Sequence, residues 1–513
     1  MRNISVWMAT FALVTGLATS LSAAPVDLRL AEAAQRDDLA AARTLVKQKA
    51  DLNAQQSDGM SALIWAAHND NVELADLLLK AGANIKTVNR YGVAALTEAA
   101  QNGSAAMLEL LLKAGADPNT KLPEGDTALM LASRAGNAAA VKVLLDHKAA
   151  VDVKEDWHGE TALMWAAGEN HADVVKLLIK AGADPNAKAT HLVYPTMVNA
   201  PAGVYSKYPT GGLTALIQAA RENAFEAALA LLENGADPNI GDARDLSPLQ
   251  TAVGNAHWDM AQLLLDHGAD PNDGSLFQAV DVRNSAGFVR AASNRPDKLS
   301  AMDLINVFVQ KGVKIDSPLK VLFPAQKALG GAATAPPDAS PLYRAAKAAD
   351  TELITYFVSK GANPNIVLKD GSTPLMAAAG LGTRAGTGFG PKVATEEEML
   401  KAVQFFLDHG AEVNAQESTG QTALHVAAAR GVDQVVQLLA DHGAKLDILD
   451  KRERTALDIA NASNGKGAPP SLGGNAGRLE KHPTTAALLR KLMGLPAEEQ
   501  TTAKPAETSG AGQ

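Results

Sequence analysis

Leucine and alanine fall in short clusters separated by polar turns, and the clusters return with one period along almost the whole chain. The leucine that opens each first cluster stands at Leu63, Leu96, Leu129 and Leu163, about 33 residues apart. It returns at Leu216, Leu249 and Leu276, then at Leu342 and Leu375, and finally at Leu424 and Leu457. One block shows the full cycle. Gly125-Asp126-Thr127-Ala128-Leu129 marks a turn, Leu131-Ala132 continue a first helix, Leu144-Leu145 lie on a second helix, and an extended link follows. A block around Leu30 to Asn53 lacks the turn signature but keeps Ala33-Ala34 and Asp51-Leu52-Asn53. The pattern predicts an all-α solenoid of about twelve helix-turn-helix repeats, with degenerate caps at both ends. Such a chain offers a long ribbed surface and no single buried cleft, which argues for binding before catalysis.

The polar positions between clusters have assigned tasks. Asp58-Gly59, Tyr91-Gly92 and His158-Gly159 are turn pairs in which glycine takes positive φ. Ser61, Thr127, Thr161, Thr214, Ser247, Thr373, Thr422 and Thr455 stand where a helix N-terminus needs a hydroxyl. Pro248, Pro341 and Pro374 follow, at a position whose N–H has no partner to lose. The glycine that closes each second helix, as in Gly-Ala-Asp-Pro-Asn at Gly115 to Asn119, Gly182 to Asn186, Gly235 to Asn239 and Gly268 to Asn272, is a left-handed C-cap. Lys49 and Lys148 replace it in two repeats, at ~1 kcal/mol each.

Thr422-Ala423-Leu424-His425-Val426-Ala427-Ala428 with Gly443-Ala444 resembles the ankyrin repeat and its Thr-Pro-Leu-His-Leu-Ala-Ala and Gly-Ala signatures. The resemblance runs from residue 26 to residue 494 apart from insertions. The family's histidine is replaced by Ile64, Met130, Met164, Ile217 and Met376, so the Thr–His bond is expected only between Thr422 and His425, with apolar packing elsewhere. Trp65 and Trp165, two residues after the opening leucine, are read as packing between repeats. The resemblance implies short β-hairpin fingers and protein binding through those fingers and the concave ends of the first helices. By register those ends are His68-Asn69, Gln101-Asn102, Arg134-Ala135, Gly168-Glu169, Arg221-Glu222 and Lys347, whose mixed charge and amide character suits a protein surface. Tyr91 and Trp157 precede turn glycines at hairpin tips and are read as partner anchors.

Subtracting the period locates the insertions. Lys188 to Gly211 takes the place of a finger and holds Tyr194, Tyr205 and Tyr208, read as further partner contacts. Val282 to Lys298, Leu381 to Thr395 and Ser463 to Pro483 fall between the two helices of alternate repeats, with roots ~20 Å apart on one edge. Residues 317–338 form a linker, read as a hinge between repeats 1–8 (residues 25–316) and repeats 9–12 (residues 339–494). Residues 495–513 read as a disordered tail.

Net charge is −9 with no basic stripe, which argues against a nucleic-acid partner. Residues 1–24 read as a signal peptide: Met1-Arg2-Asn3, the apolar stretch Ile4 to Leu21, then small residues through Ala24. The expected location is therefore the periplasm or the cell exterior of a bacterium, with no membrane association after cleavage; the rival is an uncleaved N-terminal anchor. The chain has no cysteine, so disulfides and thiolate chemistry are excluded. His147, His267, His409 and His442 recur after aspartate and read as helix-end residues meeting free carbonyls, with no metal site. Leu381 to Gly390 is glycine-rich but lacks the Gly-Lys-Ser/Thr ending of a phosphate loop. Arg283, Arg290, Arg295 and Lys298 make a modest basic patch. No catalytic constellation stands out and no cofactor is implied. The reading is a monomeric, non-catalytic scaffold for a protein partner. Its alternatives are an accessory subunit or chaperone of an exported enzyme and, from another class, an enzyme with a site built from the insertions.

Overall fold

A computed structural model describes residues 27–194, 208–286, 296–318, 336, 338–381, 390–391, 394–462 and 480–496. The predicted signal peptide, Tyr205, Arg290, Arg295, most of the 317–338 and 463–483 segments, the glycine-rich 382–389 stretch and the tail after residue 496 lie outside these residues. The chain divides into two compact units between Pro123 and Glu124.

Among the described residues, the first unit holds three helix pairs, Arg29–Gln35 with Leu39–Lys47, Ala62–His68 with Val72–Ala81, and Ala95–Gln101 with Ala105–Lys113. The second holds nine. Repeats 4 to 8 are Ala128–Ala135 with Ala138–Asp146, Ala162–Gly168 with Ala172–Lys180, Ala215–Glu222 with Phe225–Glu233, Pro248–Gly254 with Trp258–Asp266, and Ser275–Arg283 with Ala301–Gln310. Repeats 9 to 12 are Pro341–Lys347 with Thr351–Ser359, Pro374–Ala378 with Glu396–Asp408, Ala423–Arg430 with Asp433–Asp441, and Ala456–Ala460 with Pro483–Leu492. Within each unit every first helix packs on the next, including repeat 8 on repeat 9 across the predicted linker.

Helices of seven to nine residues are too short to persist alone, so burial between neighbours must hold them. The opening leucines from Leu63 to Leu424 are all buried. Leu457, in the last repeat, is only partly covered, as expected of a cap with one neighbour. All eight predicted Ser and Thr residues cap their first helices through the side-chain oxygen. Thr422 Oγ1 lies 2.9 Å from His425 Nδ1, which also accepts the Thr422 N–H; His425 Nε2 then reaches the Arg454 carbonyl of the next repeat at 3.1 Å. Ile64, Met130, Met164, Ile217 and Met376, which stand at the histidine's position, are buried, and three other repeats close the cap with a polar side chain. Thr97, Gln250 and Asp458 return a side-chain oxygen to the N-cap N–H of their own helices.

The links between repeats are stitched by the asparagine of Gly-Ala-Asp-Pro-Asn. Asn239 Nδ2 donates to the Gly268 carbonyl at 3.1 Å, and its Oδ1 accepts from Asp270 N–H at 2.8 Å. Asn186 makes the same pair to Gly235 and Asp237, and Asn414, of the variant Gly-Ala-Glu-Val-Asn, makes it to Gly443 and Lys445. Regular strands are few among the described residues. The 188–211 insertion forms a finger of strands β1 (His191–Tyr194) and β2 (Tyr208–Gly211), antiparallel with Tyr194 opposite Tyr208. Strand β3 (Ser285–Ala286) pairs with β4 (Gly390–Pro391), so the insertions of repeats 8 and 10 meet across repeat 9.

Candidate functional site: finger tips and first-helix ends

A finger tip reverses the chain in a few residues and leaves backbone N–H groups pointing inward. An acceptor three or four positions before the left-handed turn residue gathers them. Asn89 Oδ1 accepts from Tyr91 and Val93 N–H, both at 2.9 Å. Glu155, buried, accepts from Trp157, His158 and Glu160 N–H at 2.5, 2.7 and 2.9 Å. Desolvation pushes the Glu155 carboxyl up, but these donors outweigh it and its pKa is lowered. Asp242 and Asp450 hold their tips likewise and also pair with Arg244 and Arg454, each at 2.7 Å. These acceptors went unread in the sequence, although a polar residue recurring just before the turn was the signal.

The held tips expose the two predicted anchors. Tyr91 is 70% exposed and Trp157 is 68% exposed. Tyr91 and Gln101, which is also exposed, belong to the first unit; the other candidates belong to the second. The apolar rows extend further than predicted. Val88 in the first unit, and Val367 and Leu449 in the second, are exposed four positions before a left-handed turn residue. Gln55 and Gln416 donate to the carbonyls of Val88 and Leu449, fixing these side chains at the finger surface.

First-helix ends divide into spent and available groups. Asn69 and Asn102 donate to carbonyls at the end of the preceding first helix, Ala34 and Ala67, so they bind neighbouring repeats. Arg134, Glu169, Arg221 and Glu222 are exposed on successive first helices of the second unit. Arg221 and Glu222 pair with each other at 2.8 Å, an exposed contact that constrains neither much. Arg134 lies 5.1 Å from the centre of the Trp165 ring. Trp165 and Trp65, read as packing between repeats, are both half-buried, and Trp65 Nε1 donates to Gln56 at 2.7 Å. An alanine-rich first helix leaves room beside the tryptophan where a larger neighbour would close it. Lys347, predicted as a surface contact, is buried. Arg283 is no free basic patch, because Asp350 and Glu352 of repeat 9 hold it at 2.9 and 2.5 Å. Tyr194 and Tyr208 face each other in backbone register.

The recurrent histidines behave as helix-end residues. His267, His409 and His442 place Nδ1 at 2.9, 2.7 and 2.9 Å from a carbonyl four residues earlier. Among the described residues no group of three His, Asp or Glu side chains could hold a metal ion, and no helix is long and apolar enough to cross a membrane.

A family model described as ankyrin repeats (3 copies) matches residues 30–122, 115–189, 192–275 and 392–468, more than half of the chain. The chain belongs to the ankyrin-repeat family, whose members are general protein–protein interaction modules. Among solved structures, the human ASB11 ankyrin repeat domain is 26% identical over 47% of this chain and 98% of that one, with a TM-score of 0.39.

Proposed function

We propose that this protein is a non-catalytic scaffold that binds a protein partner through its finger tips and exposed first-helix ends, in the periplasm or outside the cell. The observation that carries the reading is Trp157, a large aromatic held out at a tip by three hydrogen bonds to the buried Glu155 carboxylate. An exposed tryptophan on a preorganised turn is the kind of residue that anchors interfaces, because little conformational freedom is lost on binding. Arg134, Glu169, Arg221 and Glu222 would supply the polar rim. Export rests on the sequence of residues 1–24.

The mature protein should recover a specific partner from the exported fraction of its own cells. Trp157→Ala should weaken that complex by roughly 2 kcal/mol, about thirtyfold, with unchanged thermal stability. Undiminished affinity would remove the tip from the interface. N-terminal sequencing of the exported protein should begin between Ala23 and Pro25; an intact Met1 would refute cleavage.

A further inference from the structure

Repeats 8 to 10 lie largely between residues 275 and 392, outside the matched stretches, and the first helix of repeat 9 buries two cationic side chains. Two residues after the opening leucine, where repeats 4 and 11 place Leu131 and Val426, repeat 9 places Arg344; three residues on, one helical turn away, comes Lys347. They are 2% and 6% exposed. Arg344 Nε pairs with Asp281 from the first helix of repeat 8, but its Nη1 and Nη2 are buried with no hydrogen-bond partner. Among the described residues no hydrogen bond or ion pair holds Lys347. Burial pushes its pKa down to about 8, Arg344 adding to the effect and Asp281 opposing it. Gln278, at the matching position of repeat 8, is likewise buried with its Oε1 unpartnered.

Arg283, on the first helix of repeat 8, shows what a satisfied cation looks like here, with one carboxylate on Nε and another on Nη2. Arg344 has one carboxylate instead, on Nε alone, and among the described residues Lys347 is in ion-pair contact with none. Buried charged donors without partners are costly, so a native fold that keeps the Nη1 and Nη2 groups of Arg344 unpartnered has a use for them. The β3–β4 pair joins the inter-helix loops of repeats 8 and 10 across repeat 9, whose first helix ends at Lys347.

We propose that Arg344 and Lys347 form a binding site for an oxyanion, a carboxylate or phosphoryl group. The Nη1–Nη2 edge of Arg344 takes two of its oxygens in parallel hydrogen bonds, and the Lys347 ammonium supplies the second positive charge. The group is carried either by a free small anion or by an acidic side chain of a bound protein. The site stands apart from the finger tips and does not depend on their role.

Titration of the full-length protein with succinate, inorganic phosphate and a glutamate-rich peptide at constant ionic strength, read by calorimetry, tests the assignment. Saturable one-to-one binding of any of the three is expected, weakened at least tenfold in Lys347→Met and in Arg344→Met and unchanged in Lys360→Met. Binding of the small anions identifies a free ligand as the source; binding of the peptide alone identifies a protein side chain. Lys347→Met should also raise the unfolding temperature of the unliganded protein, because it removes a buried cation that nothing neutralises, so the test survives if Arg344→Met fails to fold. Absence of binding by all three probes, or binding undiminished in Lys347→Met, overturns the site.

Discussion

A side chain on left-handed backbone has a measurable cost. Lys148 sits at φ 69° where most other repeats place the closing glycine, and its side chain is exposed, so no packing is lost on removing it. Lys148→Gly should raise stability by about 1 kcal/mol, read from urea unfolding; no gain would mean the lysine makes a compensating contact. His425 gives the pH-dependent counterpart. Burial, the largest influence, lowers its pKa below the ordinary 6.5, so it stays neutral in the fold while the unfolded chain takes up a proton. Its contribution is full above pH 6.5 and is lost as pH falls through the folded pKa. Gln250 already closes a cap of the same form with an amide oxygen. His425→Gln should therefore leave stability less sensitive to acid, with the gap between wild type and variant narrowing from pH 7.5 to pH 5. An unchanged gap would show that His425 does not titrate on unfolding. At this scale the hydroxyl caps were legible because only a few side chains satisfy an N-terminal N–H. The residues that return a bond to the N-cap N–H, Thr97, Gln250 and Asp458, were not, because any short or flexible acceptor three positions on can do so.

Two kinds of glycine separate at the scale of the repeat. Gly82, which ends a second helix at φ 98°, has open space where a methyl group would stand, so only its backbone angle resists substitution. Gly59, at φ 87° in a finger, would place a methyl carbon 2.7 Å from Arg90 N and 2.9 Å from Asn89 Cα in the next finger. Gly82→Ala should cost ~1 kcal/mol and Gly59→Ala more, roughly 2–3 kcal/mol, because the neighbouring backbone must also move. Equal costs would deny that the fingers are tightly apposed. Asn239→Ala removes two hydrogen bonds between repeats 6 and 7 and should cost about 2 kcal/mol by the same unfolding assay. The periodicity of leucine and glycine revealed the helix pairs, since both are demanded within one repeat. The asparagine stitching was hidden, since Asn after Asp-Pro also reads as an ordinary turn residue. The meeting of β3 with β4 was hidden as well, because strand pairing between distant insertions leaves no local pattern.

At the scale of the molecule, binding capacity follows from repetition. Each repeat presents one tip and one first-helix end on a framework whose core positions are filled by leucine and alanine, so contact residues can differ from repeat to repeat without disturbing the fold. The exposure of Tyr91 and Trp157 was legible because both precede turn glycines at finger tips, where little of the chain can cover them. Lys347 was misread because register gives a residue's position on a helix but not whether a neighbouring repeat covers it. The most direct test of partner binding through the tips is site-specific photocrosslinking in the native host. Benzophenone side chains at positions 91 and 157 should give adducts with the same partner protein, whereas positions 76 and 142, on exposed second-helix surfaces, should not. Adducts confined to 76 and 142, or absent from all four positions, would contradict the account.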